Sequence, residues 1–169
     1  GGKFYDRVSE GVDAQRMMPN CASLCRRARL VGAPVLHAPI YFGSDADGNN
    51  NRNPLVGILK GVHEQQAFLA GSWGADFHPD LAPANGETTV QNKHGLDCFI
   101  GTDLEGLLAE LGIKTIILGG FLTNVCVEST MRHGYELGYN VITLVDGAAC
   151  FSVAEHKAAV DGTFKMFST

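Results

Sequence analysis

The stretch 114–147, KTIILGGFLTNVCVESTMRHGYELGYNVITLVDG, constrains this chain more than any other, because its pattern fits strand, turn, helix and strand in succession. Ile116, Ile117 and Leu118 form a short apolar run stopped by Gly119 and Gly120, as expected of a parallel strand buried on both faces. Val125, Ser129, Arg132 and Glu136 then recur at helical spacing until Gly138 stops the pattern. Residues 141–145 read as a second buried strand. The turn FLTNVC places Cys126 at or near the first turn of the helix. Unpaired backbone N–H groups and the positive end of the helix dipole meet there. A thiol in such a place has its thiolate favoured, and the same N–H groups can hold an oxyanion. The alternative is a small buried apolar residue, since free cysteines are among the most buried types.

Length and composition set the frame around that unit. The 169 residues make one domain with room for a sizeable core. A hydrophobic share of 45% against 18% charged is that of a globular chain, not a disordered one. A net charge of −5 argues against nucleic acid or an anionic membrane as the main partner. No apolar run reaches membrane-spanning length. Cys21, Cys25, Cys98, Cys126 and Cys150 are odd in number, scattered and without C-x-x-C, which fits reduced thiols in a cytoplasmic setting.

The first periodic segment is a helix over roughly 14–30, its regular part starting at or after Met18 because Pro19 belongs near a helix start. Leu24, Ala28 and Val31 form its inner face, Arg26, Arg27 and Arg29 its solvated one, and Cys21 and Cys25 pack one turn apart. Residues 34–40 are the next strand. A parallel sheet whose first element is a helix lacks the strand that should feed it, so residues before Gly1 are expected. The loop 42–54 contains D-A-D-G but not the closing glutamate of an EF-hand, which sets calcium aside. A short helix is expected within 54–71 and a strand at 88–90. A helix over 103–111 follows, capped by Thr102 or Asp103. The last pattern is a helix over 153–160, after which 164–167 could begin a final strand.

The six histidines form no H-x-H or H-E-x-x-H pattern, so no metal is expected. His133 stands two turns beyond Cys126, too far along the axis to serve as its base. His156 is expected to be exposed on a late helix. A Cys-His arrangement built from distant positions stays open on spacing alone. Gly119-Gly120 is neither G-x-G-x-x-G nor a P-loop, and no cofactor is expected. Lys93 precedes the apolar Leu96, Cys98 and Phe99, where its ammonium would be partly desolvated and would favour a nearby thiolate. The plainer alternative is a surface lysine on a loop.

These residues resemble a known family, the isochorismatase-like cysteine hydrolases. The likeness rests on Lys93-x-x-x-Asp97-x-Phe99-x-Gly101-Thr102-Asp103-Leu104, Gly112-Ile113-x-Thr115, Gly119-Gly120-x-x-Thr123-Asn124-x-Cys126-Val127-x-x-Thr130, Gly138-Tyr139 and Val145-Asp146. It is specific in order and spacing over 86–149 and extends more weakly back through Arg29, Gly32, Pro34 and Val35. The resemblance implies a Rossmann-like three-layer α/β/α sandwich with a mostly parallel six-stranded sheet, its first strand missing here. The chain is then a single domain over 1–169, short of residues at both ends. It also implies an Asp-Lys-Cys triad with Cys126 as nucleophile and Lys93 as the cation beside it. A cis peptide just before Leu122 belongs to the same pattern, as does an oxyanion hole of the Leu122 and Cys126 N–H groups. The aspartate should end a first strand that no segment here supplies; Asp6 and Asp13 stand in the wrong context for it. The aspartate-and-two-histidine metal triplet of nicotinamidases is absent, since that place reads His37-Ala38-Pro39-Ile40-Tyr41.

The reading that follows is a metal-free hydrolase of a small amide, ureide or carbamoyl compound, closest to the ureidoacrylate branch. Vinyl-ether hydrolysis of an isochorismate-like substrate and a non-catalytic binding protein on the same fold are the alternatives. In a parallel α/β sheet, loops at the carboxyl ends of the strands surround the ligand. Tyr41, Trp73, Phe99, Phe121, Thr123, Asn124 and Phe151 are the expected pocket residues. The expected partners are a small-molecule substrate and further copies of the chain, as a dimer or tetramer.

Overall fold

Two helices open the chain where the spacing pointed to one. They are α1 (Tyr5–Gln15) and α2 (Met17–Leu30), with Arg16 between them at φ 50. The computed structural model describes residues 2–46 and 48–169; Gly1 and Asp47, the latter part of D-A-D-G, lie outside the described residues. Pro19 falls in the first turn of α2, where a missing N–H breaks no helical bond. Gly11 is the buried residue of α1, and a Cβ there would collide with the Cys150 carbonyl oxygen. Only glycine lets α1 lie directly on that backbone. Val31, expected to face inward, is 79% exposed just past the end of α2.

The expected strand at 34–40 contracts to β1 (Leu36–His37), which pairs in parallel with β2 (Thr88–Thr89). Pro34 and Pro39 bracket β1, and neither has an N–H to extend the ladder. Between these strands lies α3 (Gly57–Glu64). After them comes α4 (Leu104–Glu110), whose first turn is capped by Thr102: its Oγ1 accepts from the Leu104 N–H at 3.2 Å. Asp103 is occupied elsewhere, accepting from the Gln91 N–H at 2.8 Å.

β3 (Thr115–Phe121) runs through Gly119 and Gly120 instead of stopping at them. A wide helical turn over Thr123–Val127 leads into α5 (Glu128–Glu136), and β4 (Asn140–Ala149) returns parallel to β3. The register slips between Leu118 and Gly120, where β4 uses more residues than β3. Gly119 permits it, since a Cβ there would stand 2.8 Å from the Gly147 carbonyl oxygen. The chain continues through α6 (Val153–Ala159) and a second wide turn to α7 (Lys165–Phe167), so 164–167 is helical and not a strand. Only beyond α7 does the backbone reach β4, the Thr169 N–H donating to the Val141 carbonyl at 3.0 Å.

The fold is α/β with parallel pairing. Among the described residues it has four strands in two separate pairs, not a six-stranded sheet. Val141 packs with Met131 of α5, while Leu144 lines a cleft with Leu24 of α2. These positions have opposite parity on the strand, so helices cover both of its faces. One core cluster joins α5, β4 and α6 through Val127, Met131, Val141, Ala148, Ala159 and Phe164. A second gathers Val90, Cys98, Phe99, Leu104 and Leu108, and a third lies under the 42–69 segment around Phe42, Leu59 and Val62. Among the described residues no helix is long and apolar enough to cross a membrane.

Candidate active site

Cys126 stands in the turn between β3 and α5, half-buried, at the start of a helical run that continues to Glu136. The Phe121–Leu122 peptide ahead of it is cis. The Leu122 carbonyl accepts from the Val125 N–H at 3.1 Å and the Val127 N–H at 3.2 Å, gathering the turn around one oxygen. One turn into α5, Thr130 Oγ1 donates to the Cys126 carbonyl at 2.8 Å and accepts from the Cys98 N–H at 3.1 Å. That hydroxyl ties the segment carrying Lys93 to the turn carrying Cys126.

Lys93 is 3% exposed, so it is not a surface lysine. Its ammonium donates to the Gly95 carbonyl at 3.0 Å, and among the described residues no carboxylate pairs with it. A cation held out of water in this way favours any anion brought near it. The Cys98 thiol is pushed up from its ordinary range by burial; the Lys93 ammonium pulls it back down and Cys126 pushes it further up. Lys93 and Cys126 therefore both act on one sulfur. Burial also raises Cys25 and Cys150, and it pushes Cys21 up to about 11, which makes these thiols poor nucleophiles.

The expected pocket residues fall into different settings. Tyr41 adjoins the Lys93 segment: its phenolic oxygen accepts from the Asn92 N–H at 3.0 Å, and its carbonyl lies 2.8 Å from His94 Nδ1. Asn124 is exposed and accepts from the Cys150 thiol at 2.8 Å. Phe121 is 39% exposed on β3 and Trp73 71% exposed on the surface. Phe151 carries the Arg7 guanidinium over its ring at 4.7 Å. Phe99 is buried in the second core cluster, stacked on Tyr139. Thr123 is fully buried.

Two pairings were not anticipated. Asp97 meets His133 Nδ1 at 2.5 Å, which occupies the histidine two turns beyond the cysteine. His156, expected to be exposed, is 4% exposed and hydrogen-bonds Thr123 through Nδ1 at 2.8 Å. A signal for the second was present: His156 shares a helical face with Ala159 and Val160. Among the described residues no group of three or more His, Cys, Asp or Glu side chains is placed to hold a metal.

Comparison with known proteins shows what the chain as a whole is similar to. A family model described as the isochorismatase domain matches residues 3–169. The uncharacterized isochorismatase family protein YwoC of Bacillus subtilis is 42% identical over 147 residues, covering 86% of this chain and 73% of its own. The ureidoacrylate amidohydrolase RutB of Pseudomonas savastanoi pv. phaseolicola is 30% identical over 151 residues, covering 84% of this chain but 58% of its own. This chain spans less than two thirds of the length of the ureidoacrylate amidohydrolases it matches. Among solved structures, an isochorismatase family protein from Desulfovibrio vulgaris superposes with a TM-score of 0.80 at 24% identity. That match covers 96% of this chain and 81% of the other.

Proposed function

The chain belongs to the isochorismatase family of hydrolases, and from that premise we propose that it cleaves a C–N bond of a small amide, ureide or carbamoyl compound through a thioester on Cys126. One observation carries the reading. Lys93 is a buried ammonium with no carboxylate partner among the described residues, joined through Cys98 and Thr130 to the turn that holds the half-exposed Cys126. A desolvated cation waiting for a negative charge suits a site where a thiolate and an oxyanion form in turn.

In this reading the Cys126 sulfur attacks the substrate carbonyl carbon as its thiol proton passes to a carboxylate. The oxygen becomes an oxyanion held by the Leu122 and Cys126 N–H groups, with the Lys93 ammonium balancing the charge. Collapse breaks the C–N bond, and the carboxylic acid returns its proton to the leaving nitrogen. A water activated by the same carboxylate then hydrolyses the thioester, releasing the acid and restoring the thiol. Asp6 and Asp13 are exposed on α1 and are not assigned the proton transfer. The ureidoacrylate branch supplies the first substrates to try.

The test is a panel of ureides, carbamoyl amines and simple amides, with intact-mass detection of an acyl adduct on Cys126. Cys126→Ala should abolish both turnover and adduct. Turnover that survives the substitution, or hydrolysis of a vinyl ether with no adduct, would overturn the thioester route; binding without turnover would favour a binding protein.

A further inference from the structure

Thr123 and His156 meet Oγ1 to Nδ1 at 2.8 Å, with both side chains shut off from solvent at 0% and 4% exposure. Thr123 opens the turn that holds Cys126, whereas His156 arrives on α6 from beyond β4. That helix is set firmly in place. Ser152 Oγ accepts from the Glu155 N–H at 3.2 Å at its start, and Ala159 joins the main core cluster.

The other ring nitrogen makes the pairing informative. Among the described residues His156 Nε2 is buried and closes no hydrogen bond of ordinary geometry, although a weaker hydrogen-bonding interaction of the ring with the Val145 backbone favours the charged form. Burial disfavours the charged ring, so the imidazole is held neutral. A buried polar nitrogen paired so poorly is destabilising, and a leucine would fill similar space without that cost. Packing alone therefore does not call for histidine here. What the ring does supply is one buried hydrogen bond to the first residue of the nucleophile's turn.

We infer that His156 is a positioning residue: through Thr123 Oγ1 it fixes the start of the 123–127 turn, so that the Cys126 sulfur and its neighbouring N–H groups are presented in a single geometry. The inference rests on the reading of Cys126 as nucleophile.

The experiment needs no substrate. Iodoacetamide alkylation of Cys126 is followed by peptide mass mapping in the folded chain, with far-UV circular dichroism and urea unfolding as checks of the fold. His156→Leu should slow Cys126 alkylation about tenfold, the rate equivalent of one hydrogen bond. Thr123→Val, which keeps the shape and loses the hydroxyl, should slow it equally, and the double variant should lose no more than either single one. His156→Asn, whose amide can reach the Nδ1 position, should recover most of the rate. A purely structural histidine would lower the urea midpoint and leave the alkylation rate of the folded chain unchanged.

Parental rates in folded His156→Leu or Thr123→Val, or losses that add in the double variant, overturn the inference. If His156→Leu does not fold, Thr123→Val, His156→Asn and their combination decide the question on the same terms. A Cys126 that alkylates no faster than the other thiols in the unsubstituted chain removes the nucleophile reading and the inference with it. A fast Cys126 indifferent to both partners removes the inference alone.

Discussion

Between β3 and β4 the backbone ladder runs from Thr115–Asn140 to Phe121–Ala149, whereas β1 and β2 share two residue pairs. The first region closes over apolar side chains from α5, β4 and α6, with Met131 and Ala148 completely buried. The second adds polar cross-links to two apolar clusters around Val90 and Phe42. Arg29 grips Glu87 at 2.6 Å, and the same carboxylate meets His37 Nε2 at 2.8 Å and accepts from the Ala84 N–H at 2.8 Å. Asn49 reaches His63, Asn50 reaches His94, and Asn51 donates to the Leu59 carbonyl. Cys126 belongs to the ladder-and-packing region and Lys93 to the cross-linked one. Cys126 and Lys93 thus sit on either side of a boundary between a ladder closed by apolar packing and a part whose apolar clusters are cross-linked by directional bonds.

The largest expected effect tests the packing side. Met131→Ala should lower unfolding free energy by about 2–5 kcal/mol, read from urea midpoints, because its cavity lies where the surrounding elements cannot collapse. Leu59→Ala, beneath the loops of the other region, should fall at the low end of that range, about 2 kcal/mol, because loops relax into the space. Equal losses would erase the contrast between the regions.

Lys93→Met should separate chemistry from stability. The acylation rate should drop about 100-fold, the scale of losing one group that stabilises an oxyanion. Stability should hold or rise, since an unpaired buried ammonium is replaced by an apolar side chain of similar reach. A large fall in the urea midpoint would mean that Lys93 is a structural member of the cross-linked region instead.

The smallest effect is a pH dependence. Glu87 is pulled down to about 2, first by its hydrogen bond with Arg29, with the Ala84 N–H and His37 adding to it against burial. A carboxyl group lowered in the folded state stabilises above its unfolded value and loses that contribution as pH falls through the folded one. The chain should therefore lose stability as pH drops from about 4.5 towards 2, and Glu87→Gln should flatten that interval. An unchanged acid limb in the variant would show that the Arg29–Glu87–His37 cross-link contributes little to holding β1 and β2.

What local pattern governs was readable in the chain itself. The apolar run at 116–118, helical spacing from Val125 and the stop at Gly138 fixed a strand, turn and helix around Cys126, because each depends on neighbours within a few residues. The depth of Lys93 was foreshadowed by the apolar residues after it. Tertiary structure decided the rest. Gly119 and Gly120 read as a strand end, but the return of β4 against β3 carries the strand through them. Residues 5–15 show little apolar periodicity, and their helix is seated by Gly11 on the Cys150 backbone just past the end of β4. His156 reads as a polar residue on a late helix, and it is buried because α6 folds back onto the turn before Cys126. Contacts of this last kind join residues dozens of positions apart, and their partners are set by how strands and helices cross, which no local spacing encodes.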